Sequence, residues 1–354
     1  MHLPSDPRHL RSRPHGLRWH PWFVAALLAL LALPNQPALA AAARSIPVIL
    51  DTDIGDDIDD TWALGLLLRC RELDVKLVVS DYGRPGYRTR LLGKLLQSMG
   101  RPDIAIGRGV EVSGVGGEES QAPWLEGYDL GTYPGKVHQD GVQVMIDTIM
   151  ASPVPVTLIA IGPLPNIAEA LTREPRIAQR ARFVGMHGSL RVGYGGSTNI
   201  AAEWNVKAAP GACQKALSAD WDMRITPLDT CGLVQLDGPT FARLREARDP
   251  IATVILENYR VWARRRTDLA PKEIEQRSST LFDCVAIYLA ASAGADFCRL
   301  EKLPVRVTDD GFTRIADGAK TLTAATAWND LAGFNQWMVD RLTTPLAHSS
   351  TTSQ

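Results

Sequence analysis

Short apolar runs alternate with amphipathic stretches along most of this chain. Residues 46–50 form an unbroken apolar run of strand length, the pattern of a strand buried on both faces. After a polar break, Trp62, Ala63, Leu64, Leu66, Leu67 and Leu68 recur and predict a helix with one buried stripe. The alternation then continues. Strands are expected at 75–80, 104–106, 156–161, 183–186 and 223–226, and helices at 87–99, 137–150, 165–171 and 207–217. Helices dominate 239–293, short strands follow around 303–316 and 321–326, and a last helix covers 329–342. Strands alternating with helices predict an α/β fold, a doubly wound and mainly parallel sheet flanked by helices. The stretch 111–136, rich in Gly, Glu and Pro and carrying Trp124, Tyr128 and Tyr133, reads as a long loop. A loop of that length in a compact domain is usually functional or mobile.

The first forty residues follow another pattern. Arg8, Arg11, Arg13 and Arg18 precede an apolar run from Phe23 to Leu33. Pro34 breaks it, and Ala38-Leu39-Ala40 offers a small-x-small cleavage site. That order predicts a secretory signal over 1–40, with the mature protein periplasmic or secreted. The run is too short to span a bilayer comfortably, so the membrane is met only during export. No linker or repeat divides 41–345, so a single domain is expected there, followed by a polar tail at 346–354. The formal charge of −1 becomes −4 when the four Arg and one Asp of the leader are removed. No basic patch points to a nucleic-acid partner. The five cysteines lack CxxC or zinc-finger spacing and are expected mostly as buried free thiols.

Chemistry concentrates where the first strand ends. Asp51, Asp53, Asp56, Asp57, Asp59 and Asp60 put six carboxylates within ten residues, on the turn leaving the strand and on the first turn of the next helix. Capping a helix uses one or two acids. Six this close repel unless protonated, solvated or neutralised by a cation. Oxygen ligands favour Ca²⁺ or Mg²⁺ over zinc. An EF-hand loop does not fit, because Gly55 is its fifth position instead of its sixth and Trp62 stands where a bidentate Glu belongs.

Four blocks in order resemble the inosine–uridine-preferring nucleoside hydrolase family. They are Asp51-Thr52-Asp53-Ile54-Gly55 with Asp59-Asp60; Leu158 to Ala168 with its Gly162-Pro163-Leu164-Pro165-Asn166; Ala202-Glu203-Trp204-Asn205; and Leu281-Phe282-Asp283-Cys284-Val285-Ala286. The acidic spacing of the first block is two residues longer than in the best-known members, and Pro165 stands where the second block usually has Thr. The resemblance implies a single nucleoside-hydrolase-like domain that holds one Ca²⁺. By position its ligands would be Asp53, Asp60, Asp283 and the backbone carbonyl of Ile161. Asp59 would bind a ribose hydroxyl, and Glu203 and Asn205 would hold the sugar. Asp81 falls near another sugar contact. The substrate would be a small nucleoside or related ribosyl compound, and the family likeness implies a homo-oligomer.

The implied reaction is cleavage of an N-glycosidic bond through an oxocarbenium-like species. Asp53 would be the general base, with the other carboxylates stabilising the cationic sugar. Taken alone, Glu203 and Asp283 would read as helix N-caps. Many family members carry a His before the last metal Asp, thought to assist the leaving base, and this chain has Phe282. Phe cannot donate a proton, but it can stack on a base, which would favour purines, with Trp124, Trp204 or Trp262 as partners. His187 and His138 are the candidate replacement acids. Three alternatives stay open: a family member turned to another ribosyl compound, a non-enzymatic ribosyl-binding protein, and a haloacid-dehalogenase-type phosphohydrolase. The last would need a Lys at a later strand end.

Overall fold

The apolar run at the start of the domain is strand β1 (Ile46–Thr52), sealed from solvent from Val48 onward. Its residues serve two faces, as strand alternation requires: Val48 and Leu50 enter one apolar layer and Ile49 the other. The computed structural model describes residues 45–112, 117–267, 269–292 and 296–344. The expected signal at 1–40 and the tail at 346–354 lie outside the described residues.

After β1 come α1 (Asp59–Arg69), β2 (Leu73–Ser80), α2 (Pro85–Ser98), β3 (Ala105–Gly107), β4 (Val137–His138), α3 (Gly141–Ala151), β5 (Val156–Ala160) and α4 (Pro165–Arg173). Then follow α5 (Ile177–Arg180), β6 (Ala181–Met186), α6 (Trp204–Ala208), α7 (Pro210–Ser218), β7 (Asp222–Thr226), α8 (Gly238–Glu246), α9 (Pro250–Ala263) and α10 (Cys284–Ala291). The domain ends with β8 (Cys298–Val307), β9 (Thr313–Ile315), β10 (Thr321–Trp328) and α11 (Leu331–Thr343). The strands form one sheet in the order β4-β3-β2-β1-β5-β6-β7-β10-β8-β9. Pairing is parallel from β4 to β10, and β8 and β9 join antiparallel. This is the expected mainly parallel, doubly wound sheet in one domain. Strand order reverses between β1 and β5, and such a switch point opens a crevice at the carboxyl ends of the two strands.

Three boundaries differ from expectation. Residues 137–150 begin as the short edge strand β4, and α3 starts only at Gly141, where Asp140 caps it by accepting from the Gln143 N–H at 2.9 Å. Residues 207–217 are two helices, because Pro210 disfavours helical backbone at Ala209, which sits at φ −145°. The helical region 239–293 is interrupted by an irregular stretch between α9 and α10. The long 111–136 segment carries two single 3₁₀ turns, Ala122–Leu125 and Leu130–Thr132. Arg90 of α2 holds them, donating to the carbonyls of Leu125 (2.8 Å) and Tyr128 (2.6 Å). All five cysteines are buried and unpaired, matching the expected free thiols. No helix among the described residues is long and apolar enough to cross a membrane.

Candidate active site

The acidic turn after β1 is shaped by a glycine and an arginine. Gly55 sits at φ +122°, where L side chains are rarely found. A Cβ there would lie 2.5 Å from the Tyr87 ring, whose hydroxyl donates to the Gly55 carbonyl at 3.0 Å. Arg88, one residue along α2, is buried beneath the turn. Its Nη1 donates to the carbonyls of Asp53 and Ile54, its Nε to the Tyr82 carbonyl (2.8 Å), and its Nη2 to Asp56 Oδ2 (2.8 Å). The loop beyond residue 116 closes on the same turn, with the Glu119 N–H donating to Asp56 Oδ1 at 3.1 Å. On the other side Gly162, just past β5, lets the strand end approach Asp53: a Cβ there would be 2.9 Å from the Asp53 backbone nitrogen.

The cavity at this point is lined by Asp53, Asp56, Asp57, Asp59, Asp60, Ile161, Met186, Tyr194, Glu203, Trp204, Asn205, Phe282 and Asp283. Its volume to the open mouth, about 520 Å³, suits a small molecule. Every site residue expected from sequence lines it except Asp81, which is buried beside Asp51 behind the floor. Of the expected stacking partners only Trp204 lines it. Trp124 lies on α2, its carbonyl accepting from Lys94, and Trp262 is buried with its indole N–H donating to the Asp56 carbonyl at 3.1 Å. Neither histidine reaches the cavity. His138 is on the edge strand β4, and His187 is buried with Nε2 3.0 Å from the Gly162 carbonyl oxygen. Burial lowers His187 to about 4. Sequence reasoning missed Arg88, Met186 and Tyr194.

Helix starts supply three groups of the wall. Glu203 caps α6, its carboxylate accepting from the N–H groups of Asn205 (2.8 Å) and Val206 (3.3 Å), with a third bond from Gly188 (2.9 Å). It is therefore a cap and a cavity residue together. Asn205 Nδ2 donates to the carbonyls of Ile161 and Met186, both at 3.1 Å, which leaves Oδ1 to accept from a substrate hydroxyl. Asp283 stands at the N-cap position of α10 but makes no capping bond; its carboxyl turns to the cavity.

Seven lining residues are acids and none is basic, so charge governs the site. Burial, then the Asp53 and Asp59 charges, raise Asp60 well above the usual carboxylate range, while Thr52 donates to it. Burial and neighbouring carboxylates likewise raise Asp59 and Asp283, whose carboxyls hydrogen-bond to each other. Burial lifts Asp53 to about 6 against the pull of Arg88, Glu203 to about 7, and Asp51 to about 8 against its bond from Asn166 Nδ2 (2.8 Å). Such a floor holds its charge only with a cation. Oxygens of Asp59, Asp60 and Asp283 lie within 4.8 Å of one another, so they can share one ion. Asp60 and Asp283 were expected in that set. Asp59 joins them because it opens α1 beside Asp60, whereas Asp53 lines the cavity outside this trio. The donor set is all oxygen and fits a hard cation. No lysine lines the cavity, which disfavours the phosphohydrolase alternative.

Comparison with known proteins follows the same lines. Residues 48–334 match the inosine-uridine preferring nucleoside hydrolase family. The pyrimidine-specific ribonucleoside hydrolase RihA of Salmonella arizonae is 31% identical over 227 residues, spanning 60% of this chain and 70% of the relative. A plant nucleoside hydrolase, PpNRh1, superposes with a TM-score of 0.71 at 20% identity, covering 85% of this chain and 99% of that one. The purine-preferring ribonucleoside hydrolase of Gardnerella vaginalis gives 0.66 at 19% identity, covering 84% and 98%. With its sheet, its acidic switch point and a family match over most of its length, this chain belongs to the inosine-uridine preferring nucleoside hydrolase family and is a hydrolase of N-glycosyl bonds.

Proposed function

We propose that this protein cleaves ribonucleosides to free base and ribose, with Asp53 as general base and Ca²⁺ held by Asp59, Asp60 and Asp283. The observation that carries this reading is a single cavity with a carboxylate floor and an aromatic mouth. When bound, the ion would offset the charge of the floor and polarise water and sugar hydroxyls. Asp53, raised by burial against the pull of Arg88, faces the cavity and is placed to take a proton from the attacking water. Glu203 and Asn205 Oδ1 accept from sugar hydroxyls. The surrounding carboxylates oppose the positive charge that develops on the ring. Phe282, at the mouth, offers a face to the base.

The test is free ribose released from a panel of ribonucleosides. Release should stop on chelation and return with added Ca²⁺. Purine nucleosides should lead, because a larger π-face gains more from Phe282, where stacking is worth about 1–3 kcal/mol per base. The named relatives point both ways on the base: one is pyrimidine-specific, another purine-preferring. No ribose from any ribonucleoside would sink the proposal. Cleavage of p-nitrophenyl riboside alone would redirect it to another ribosyl compound.

Chelated protein should also carry a pH signature. Its buried carboxyls keep protons that the unfolded chain releases from roughly pH 4 upward. Stability should therefore fall as pH rises through about 6 (Asp53), 7 (Glu203) and 8 (Asp51). Since one pH unit on one carboxyl is worth about 1.4 kcal/mol, each of the three should contribute a fall of a few kcal/mol. Ca²⁺ competes with those protons, so its stabilisation should grow over the same window. Melting temperatures from pH 4 to 8, with and without Ca²⁺, check this; parallel curves would contradict it.

A further inference from the structure

Something must assist the departing base, and no histidine lines the cavity. Donor side chains on the wall are few. Asn205 has spent Nδ2 on two carbonyls. The Glu203 oxygens accept three backbone N–H groups, which holds that group as an acceptor. The indole of Trp204 is more than half exposed, and no ring contact or hydrogen bond fixes it among the described residues. Tyr194 is different. Its hydroxyl accepts from the Trp204 backbone N–H at 2.8 Å, and its ring meets Phe282 edge-on, with centroids 6.0 Å apart and planes at 81°.

The backbone beneath Tyr194 is fixed as well. The Gly193 N–H donates to the Ser197 carbonyl at 2.8 Å, and the Ser197 N–H returns to the Tyr194 carbonyl at 3.2 Å. Gly195 and Gly196 take φ of 62° and 80°, and a Cβ on Gly193 would fall 2.2 Å from the Asn199 carbonyl oxygen. The turn thus holds the phenol against the cavity wall. Its oxygen accepts one bond, and its own proton has no acceptor among the described residues. A hydroxyl that accepts a hydrogen bond is polarised into a better donor.

We propose that Tyr194 is the hydrogen-bond donor to the departing base, taking the place left by Phe282. This rests on the nucleoside-hydrolase reading above. The phenol does not need to surrender its proton. Burial and the nearby Glu203 raise it, so it stays protonated at neutral pH. It stabilises negative charge growing on a ring nitrogen or carbonyl oxygen of the base as the C–N bond breaks. The sugar sits on the carboxylate floor, and its C1′ substituent leaves toward the aromatic mouth. The donor is fixed before the charge appears, which is the condition for a large effect.

The test compares substrates that differ in their need for help. Tyr194→Phe keeps the ring against Phe282 and removes only the hydroxyl. Assayed with Ca²⁺ present, it should lower kcat on inosine and uridine by roughly 100–1,000-fold and leave KM nearly unchanged, as for loss of one transition-state donor. On p-nitrophenyl riboside, whose leaving group needs no donor, the change should be less than about twofold. Trp204→Phe, which retains the backbone N–H but removes the indole donor, should show no such difference between the two substrates. An equal loss on both substrates would make Tyr194 only a brace for the Glu203 turn and overturn the proposal. No loss on either would overturn it too, and a leaving-group-selective loss in Trp204→Phe instead would move the role to the indole. If wild-type protein cleaves none of these ribosides, the functional reading itself fails, and that outcome is seen before any variant is made.

Discussion

Asp283→Asn should cost the enzyme its metal and more than about 100-fold in turnover, beyond what is usual for losing a group that merely orients a ligand. The residue enters from the start of α10, far along the chain from Asp59 and Asp60, yet its oxygens lie within 4.8 Å of theirs. Asn keeps the shape and removes the charge. The sign of the stability change should therefore depend on the ion. With Ca²⁺ the variant should melt below wild type, because the proposed ion site has lost one of its three carboxylates. Without Ca²⁺, above neutral pH, it should melt higher, because one carboxylate has left a repelling trio. Metal content and melting curves of both proteins, with and without chelator, read this directly. A variant that kept both metal and turnover would remove α10 from the floor.

Arg88→Met should be the most damaging single change outside the cavity, at roughly 3–5 kcal/mol, the usual cost of removing one partner from a buried charged pair. Its guanidinium holds the carbonyls of Asp53, Ile54 and Tyr82 and the Asp56 carboxylate. Met fills similar space and leaves those oxygens unmet. Arg88→Lys should rescue little, since one ammonium cannot reach where a planar fork does. Denaturant midpoints measure the loss; a shift below about 1 kcal/mol would mean that water takes over those bonds.

The acidic turn was legible because like charges at that density have no use in folding. The parallel sheet was legible from uninterrupted strand runs such as residues 156–161, which show no alternation. Arg88 was not, because a single Arg on an amphipathic helix usually marks the solvated face. Only the turn of β1 passing over α2 makes it interior. Tyr194 left a faint trace, one aromatic among three glycines at 193–196, but nothing in the sequence says where such a turn points. Trp124 and Trp262 missed the cavity for the same reason: Trp262 belongs to the buried stripe of α9, and composition carries no direction. Asp81 follows β2 much as Asp53 follows β1, so position brought it close. The interior around Asp51 then took its side chain away from the cavity.

The five thiols have a meaning for how the chain can be made and kept. Each is enclosed, and burial pushes Cys70 and Cys298 up to about 12 and raises the other three as well. A protonated, enclosed sulfur neither attacks a disulfide nor meets an oxidant. The folded domain is in this respect redox-silent. No disulfide has to be formed for this native state, and once folded the domain is indifferent to whether its surroundings are reducing or oxidising.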